Sequence, residues 1–376
     1  MHMARWLCLF FLLVGCSRNE IELADKLTSA DKPLSYEEAL TIVRSQWPAT
    51  EYVVNELLPA NTDLELEPWT GPLTKLRVGL NWIKNDEVTQ LYVGIDHGYF
   101  EAVGIELEVI PGGPGRRPLP LLVSGYLDIY IEAAGSQVIW ALNSKTPVPL
   151  VVLGGVLQQY PYSFITLDRG TPPDQRSEKK LTPEDFVGKK IGLSPGAPDY
   201  LRRFFFEQTG LSEEDIEIVA AGATIEPLIA GAYDFYGSWM DNDPRMLEHL
   251  GYYNWTYWSF PDHGWSDLST LVTVLPEMLD EKPDLLRRFL KALTLATIDM
   301  SENPEAAADA ALNHIEGTTL TKELILKRIR FQIEATRQRT EERPILYIDP
   351  DRFNQVAARM YQYGSIDLQA TVGQRE

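Results

Sequence analysis

Cysteine is almost absent from this 376-residue chain: Cys8 and Cys16 are the only two, both near the N-terminus. The remainder has no disulfide framework, no thiol nucleophile and no cysteine-based zinc site. Histidine is scarce as well. After His2, only His97, His249, His263 and His314 remain, with no HExxH or other paired spacing, so a metal site is not expected. Positive charge is in deficit: 34 Lys and Arg face 54 Asp and Glu, for a formal charge of −20. That disfavours nucleic acid and anionic lipid surfaces, which are bound through clustered cations. No stretch of the body reaches eighteen apolar residues, so no spanning helix is expected. There is no Gly-x-Ser-x-Gly elbow either, which argues against a Ser-His-Asp hydrolase.

What is present begins with a leader. Arg5 precedes an apolar run from Trp6 to Val14, followed by Gly15 and Cys16. A basic residue, a short apolar stretch and small residues make a secretory signal, too short for a mature spanning helix. Leu13-Val14-Gly15-Cys16 fits the lipobox Leu-x-Gly-Cys. The expectation is a signal peptide over residues 1–15, acylation of Cys16, and an extracytoplasmic protein held to the membrane by lipid alone. The competing reading is a plain signal peptide with an incidental cysteine.

About 360 residues then remain, enough for two substantial lobes. Residues 16–74 read as a tether carrying one accessory helix, because Ser35 and Glu38 form a capping box ahead of Ala39, Leu40 and Ile42. From Leu76 onward strands and helices alternate. Strands are predicted at 76–80, 105–110, 127–131, 148–156, 190–194, 216–219, 233–238 and 270–275. Helices are predicted at 118–123, 136–142, 199–209 and 226–230, and over most of the chain beyond 275, several opening on proline (Pro283, Pro304, Pro350). This order fits two α/β lobes, with 75–163 plus 269–376 forming one and the inserted segment 164–268 the other.

Ligands of open α/β sheets bind beyond the carboxyl ends of strands. The residues there are Asn81 and Trp82, then Gly112-Gly113, then Glu132 with Gln137 on the next helix. Gln158, Tyr160 and Tyr162 follow, then Ser194-Pro195-Gly196, then Trp239, Asn242 and Asp243. Rings to stack on, together with amides, carboxylates and free backbone N–H groups, suit a small, flat, polar molecule. Each also has a plainer reading: Trp82 and Trp239 as core aromatics, Ser194-Pro195-Gly196 as a turn before a helix, Asn242 as an N-cap before Pro244. The aromatic cluster from Tyr252 to Trp258 reads as packing of the second lobe, and Asp262 and His263 stand near the return crossover.

Several runs, in order, resemble one known family. They are Leu80-Asn81-Trp82-Ile83-Lys84-Asn85, Leu91-Tyr92-Val93-Gly94, Gly98-Tyr99-Phe100-Glu101 and Gly104-Ile105-Glu106-Leu107. Ser124-Gly125 with Asp128, Gly188-Lys189-Lys190-Ile191-Gly192, Gly231 with Asp234, and Asn242-Asp243-Pro244 follow, and the similarity extends through the helices that open at Pro283 and Pro304. Together they resemble the NMT1/THI5-like solute-binding proteins across residues 75–312. The resemblance implies a type II periplasmic-binding-protein fold, two α/β lobes closing on a ligand cleft, and an ABC permease and ATPase as partners. It implies binding roles for Trp82, Tyr92, Gly113, Gly196 and Asn242, with Trp239 and Asp243 close by, and a monomer without cofactor or catalytic residues. The sequence departs from the family pattern at Lys84, Gly94 and Asp243. In the fungal, pyrimidine-synthesising branch a reactive histidine follows the tryptophan, and Val88 stands at that position.

The expected ligand is a planar nitrogen heterocycle, a thiamine-precursor pyrimidine or a riboflavin-like ring. The acids Glu132 and Asp243 suit N–H donors, whereas Lys84 and Arg116-Arg117 are the only nearby bases. The alternatives are a small anion such as a sulfonate, taurine or nitrate, the pyrimidine-synthesising enzyme, and a lipid-tethered sensor without transport.

Overall fold

The computed structural model describes residues 34–368, apart from 61, 67–68, 114–115, 117, 195–196, 316–319 and 337–342. The leader, Cys16 and Gly196 lie outside the described residues. Among the described residues no helix is long and apolar enough to cross a membrane.

Two five-stranded sheets organise the chain. The first contains β1 (Thr74–Leu80), β2 (Ile105–Ile110), β3 (Ile129–Ala134), β4 (Val151–Leu157) and β10 (Ser269–Val274), in the order β2-β1-β3-β10-β4. The second contains β5 (Tyr162–Leu167), β6 (Lys189–Leu193), β7 (Ile216–Ala220), β8 (Phe235–Trp239) and β9 (Trp255–Ser259), in the order β7-β6-β8-β5-β9. In each sheet four strands run the same way, and one strand pairs antiparallel on both sides: β10 with β3 and β4, β5 with β8 and β9. The chain passes between sheets twice, from Leu157 to Tyr162 and from Ser259 to Ser269. This is a two-lobed α/β fold, as expected.

Buried strands explain the continuous apolar runs. Every residue of β4 and β10 is buried, because helices cover both faces of the first sheet. One face carries the helices Thr89–Asp96, Pro283–Glu302 and Pro304–His314, which close around Phe100, Phe289 and Leu293.

The capping box forms as predicted: Ser35 caps Tyr36–Gln46, and Glu38 reaches back to the Ser35 N–H at 3.0 Å. The segment after this helix is more than a tether. Trp47, Ala49 and Tyr52 are fully buried. The Tyr52 carbonyl accepts from the Val152 N–H at 2.8 Å, and the Val54 N–H donates to the Val152 carbonyl at 2.9 Å. Tyr52 packs on Trp47 and on the edge of Phe353. Residues 47–54 therefore extend the first lobe's core along β4, which buries apolar surface that polar flanks had hidden from a sequence reading.

Two strands have no counterpart in the sequence reading: β5, where no element is predicted, and β9, whose aromatic residues read only as packing of the second lobe. Both lie in the second sheet, paired from Ser163↔Ser259 to Leu167↔Trp255.

Candidate interlobe ligand site

The loop after β1 builds one wall of the cleft. A Cβ on Gly112 would sit 2.4 Å from the Leu80 carbonyl oxygen, so only glycine fits against the strand end. With that space free, the Gly112 N–H donates to the Trp82 carbonyl at 2.9 Å and fixes the Asn81-Trp82 turn. Trp82 remains 38% exposed, which rules out a core role. Gly113 follows at φ +123° and forms a bridge with Arg116.

The cleft has two adjoining chambers. The inner one, about 340 Å³, is lined from the first lobe by Asn81, Trp82, Glu87, Glu132, Gln137 and Thr270, and from the second by Ser194, Trp239, Asp241, Asn242 and Asp243, with Tyr160 and Tyr162 at the crossover. The outer one, about 850 Å³, shares Asn81, Trp82, Glu132, Gln137 and Pro198 and adds Gly113 and Trp140. Ten of the twelve expected site residues thus meet in one crevice. Trp239 presents itself edge-on to Tyr160 and Tyr162, with centroids 5.4 and 6.1 Å away. Asn242 begins the helix Asp243–His249 but makes no side-chain capping bond, so its amide is available to the chamber.

Of the other two, Gly196 lies outside the described residues and Tyr92 does not line the crevice. Tyr92 is fully buried on the helix Thr89–Asp96 and stacks on His314 at 4.9 Å. Its helix covers the first sheet, and that packing turns the ring into the helical layer. Gln158 also turns away, donating to the Gly155 carbonyl at 2.8 Å. His263 stacks on Trp258 at 4.1 Å and lines neither chamber.

The chamber is acidic. Glu87, Glu132, Asp241 and Asp243 line it, and no Lys or Arg does among the described residues. Behind them, Asp86 accepts from Arg328 at 2.9 Å in a buried ion pair. Gln332, one helical turn on, reaches the Asp86 carbonyl at 3.1 Å and the Asp241 carboxylate at 3.4 Å. The helix Lys322–Thr336 therefore touches both lobes at the inner end. One Asp241 oxygen is buried without a partner.

Burial is the main reason these acids bind protons more tightly than usual. It pushes the Glu132 carboxyl up to about 7, against the restraining Ala133 N–H at 2.6 Å. Burial likewise raises Asp243 to about 6, with Ser238 and the Trp239 N–H pulling it down. Glu87 is raised by burial and then by Asp241 and Asp86, and Asp241 by burial and then by Asp86, since neighbouring carboxylates resist shared ionisation. The group can therefore present both hydrogen-bond donors and acceptors near neutrality.

Glu87, Asp241 and Thr270 were not anticipated. Asp86-Glu87 opens a short 3-10 turn capped by Asn85, close behind the Trp82 turn, and Asp241 immediately precedes Asn242. Thr270 sits at φ +55°, a conformation that β-branched residues seldom adopt, where β10 meets the chamber. Among the described residues no group of His, Cys, Asp and Glu could hold a metal ion.

Comparison with known proteins places this architecture in context. The profile described as NMT1/THI5 like matches residues 85–307. A curated relative from Halalkalibacterium halodurans, the formylaminopyrimidine-binding protein, is 25% identical over 64% of this chain and 71% of its own length. A protein from Haemophilus influenzae described as a putative thiamine biosynthesis protein is 25% identical over 78% of this chain and 88% of its own. The crystal structure of the periplasmic aliphatic sulphonate binding protein SsuA from Escherichia coli superposes with a TM-score of 0.58 at 15% identity, covering 79% of this chain and 94% of that one, a likeness of fold. The chain belongs to the NMT1/THI5-like family.

Proposed function

We propose that this protein is the solute-binding component of an ABC importer and captures, unchanged, a planar nitrogen heterocycle bearing N–H donors, of the thiamine-precursor pyrimidine type. The observation that carries the reading is the inner chamber: four acids, three amides and an indole and phenol wall, with no basic side chain among the described lining residues. An aminopyrimidine offers N–H groups to the carboxylates and a flat face to Trp82 or Trp239. A sulfonate or nitrate would instead face acids without a cation, and buried charge of like sign is costly. The formylaminopyrimidine-binding relative supports the same ligand class.

No role in turnover is assigned to any residue, since the position of the enzyme branch's histidine is Val88. The partners are a permease and an ATPase. The protein acts as a monomer outside the cytoplasm, anchored through acylated Cys16 if the lipobox is processed, which the mass of the mature N-terminal peptide reads directly.

Calorimetry against hydroxymethylpyrimidine, formylaminopyrimidine, riboflavin, taurine and nitrate tests the ligand class. Tight binding of the pyrimidines is expected, and binding of the anions alone overturns the proposal. Trp82→Ala should weaken pyrimidine binding by about 1–3 kcal/mol without changing the melting temperature, because the exposed indole supports the ligand and not the core.

A further inference from the structure

The outer chamber opens directly from the inner one across Trp82, Glu132 and Gln137, and no part of a single-ring ligand seated among the acids would fill it. We propose that the ligand has two parts, an N–H-bearing heterocycle held in the inner chamber and a second, apolar or aromatic ring lying in the outer one against Trp140. This rests on reading the inner chamber as the heterocycle site.

The outer chamber differs in kind from its neighbour. Pro118, Leu119 and Pro120 form one wall, and Tyr200 stands opposite. Trp140 is 55% exposed, the most exposed large apolar side chain among the described residues, and it sits on the helix Gly135–Leu142, whose inward face is otherwise buried. An indole held at the mouth of a groove has a flat face to offer and little reason to be apolar if only water meets it. Two arginines line this chamber: Arg203 is engaged by Asp199 at 2.5 Å, and Arg116 reaches the Pro111 carbonyl at 3.4 Å, so an uncharged second ring fits better than a cationic one.

This side of the cleft is also built to keep its shape. The Tyr200 hydroxyl donates to Ser136 Oγ at 3.0 Å, linking the second lobe to the first at the chamber floor. Farther along, Glu207 accepts from Arg359 at 2.9 Å and from the Tyr363 hydroxyl. These bonds tie the helix Asp199–Thr209 to first-lobe elements. The outer chamber lies over a tied seam, so closure of the jaws at the inner end leaves it open to a second ring. Its volume, near the upper end of the roughly 300–1,000 Å³ usual for small-molecule sites, is sufficient.

The test uses matched pairs on the mature protein by calorimetry: hydroxymethylpyrimidine against thiamine, and a diaminopyrimidine carrying a methyl group against one carrying a benzyl group. The second pair separates the added ring from added charge. In the benzyl pair the two-ring probe should bind about tenfold tighter, the scale of one aromatic stacking contact, and thiamine should gain less because its second ring is cationic. Trp140→Ala should remove most of that gain, and Trp140→Phe should restore part of it. If single rings bind but the second ring adds nothing, or if its gain survives Trp140→Ala, the two-part ligand is refuted while the inner site stands. If no ring binds at all, the heterocycle reading falls and takes this proposal with it.

Discussion

Glu132→Gln isolates the cost of holding an acid at the cleft. Glu132 lies inside β3, 4% exposed, with its carboxylate against the Ala133 N–H. Its carboxyl is raised from an ordinary 4.5 to about 7, chiefly by burial. Between those values the native state keeps a proton that the unfolded chain has released. Raising the pH through that window therefore removes stability, and above it the protein carries the full penalty. At about 1.4 kcal/mol per unit of pKa, the penalty is about 3 kcal/mol. Glutamine mimics the protonated acid and can still accept from the Ala133 N–H, so the variant lacks this slope. Urea unfolding of both unliganded proteins at about pH 5 and about pH 8 should show the variant gaining on the wild type by up to about 3 kcal/mol across the interval. Asp351, pulled down to about 2 mainly by its Arg44 hydrogen bond, has the opposite sign. Its contribution is lost only as pH falls toward that value, below the tested window. Parallel profiles for the two proteins would refute the claim that Glu132 is an acid forced into a dry wall.

Two further substitutions probe the frame that holds the cleft. Arg352 donates to the carbonyls of Gln158 at 2.5 Å, Ser266 at 2.9 Å and Asp267 at 2.9 Å, so one guanidinium joins both crossovers. Arg352→Met strands these acceptors and should cost about 3 kcal/mol in urea unfolding and increase proteolysis at the crossovers; an unchanged midpoint would show that the staple carries no weight. Trp47→Ala should cost about 3–5 kcal/mol, the usual range for emptying a large core site, because the indole is 2% exposed against Tyr52. A loss below about 1 kcal/mol would return residues 47–54 to the status of an accessory segment.

Where local chemistry decides an element, the sequence was readable to the residue. Ile105–Ile110, Asp199–Thr209 and Glu226–Ala230 form as expected, the two helices ending at Gly210 and Gly231 with φ near +70° to +77°. β5 and β9 were not readable because their meaning is non-local. Each is a short run beside a polar loop, and each becomes a strand only when Ser163 to Leu167 pairs with residues some ninety positions away. The site shows the same division. Strand ends pointed to Trp82, Glu132 and Trp239, because a parallel sheet gathers its carboxyl ends on one side. Tyr92 failed because a motif does not say which face of its helix meets the core. Glu87 and Asp241 escaped notice because an isolated acid looks solvated until the fold buries it beside another.

In the proposed binding role, the same placement bears on how one cleft would both grip and release. At the outer end the lobes are joined by Arg352 across the two crossovers, by Tyr200 to Ser136, and by Glu207 to Arg359. At the inner end the bridge is thinner: Gln332 spans from Asp86 to Asp241, and the second of those contacts is 3.4 Å long. Glu87 of the first lobe has its proton affinity raised by burial and then by Asp241 of the second, and repulsion between such carboxylates on ionisation favours separation of the jaws. A ligand that donates N–H groups to those carboxylates reverses the sign of that interaction. The free energy that closes the cleft is then drawn from the ligand itself, which is the condition for a ligand to shift a two-state equilibrium.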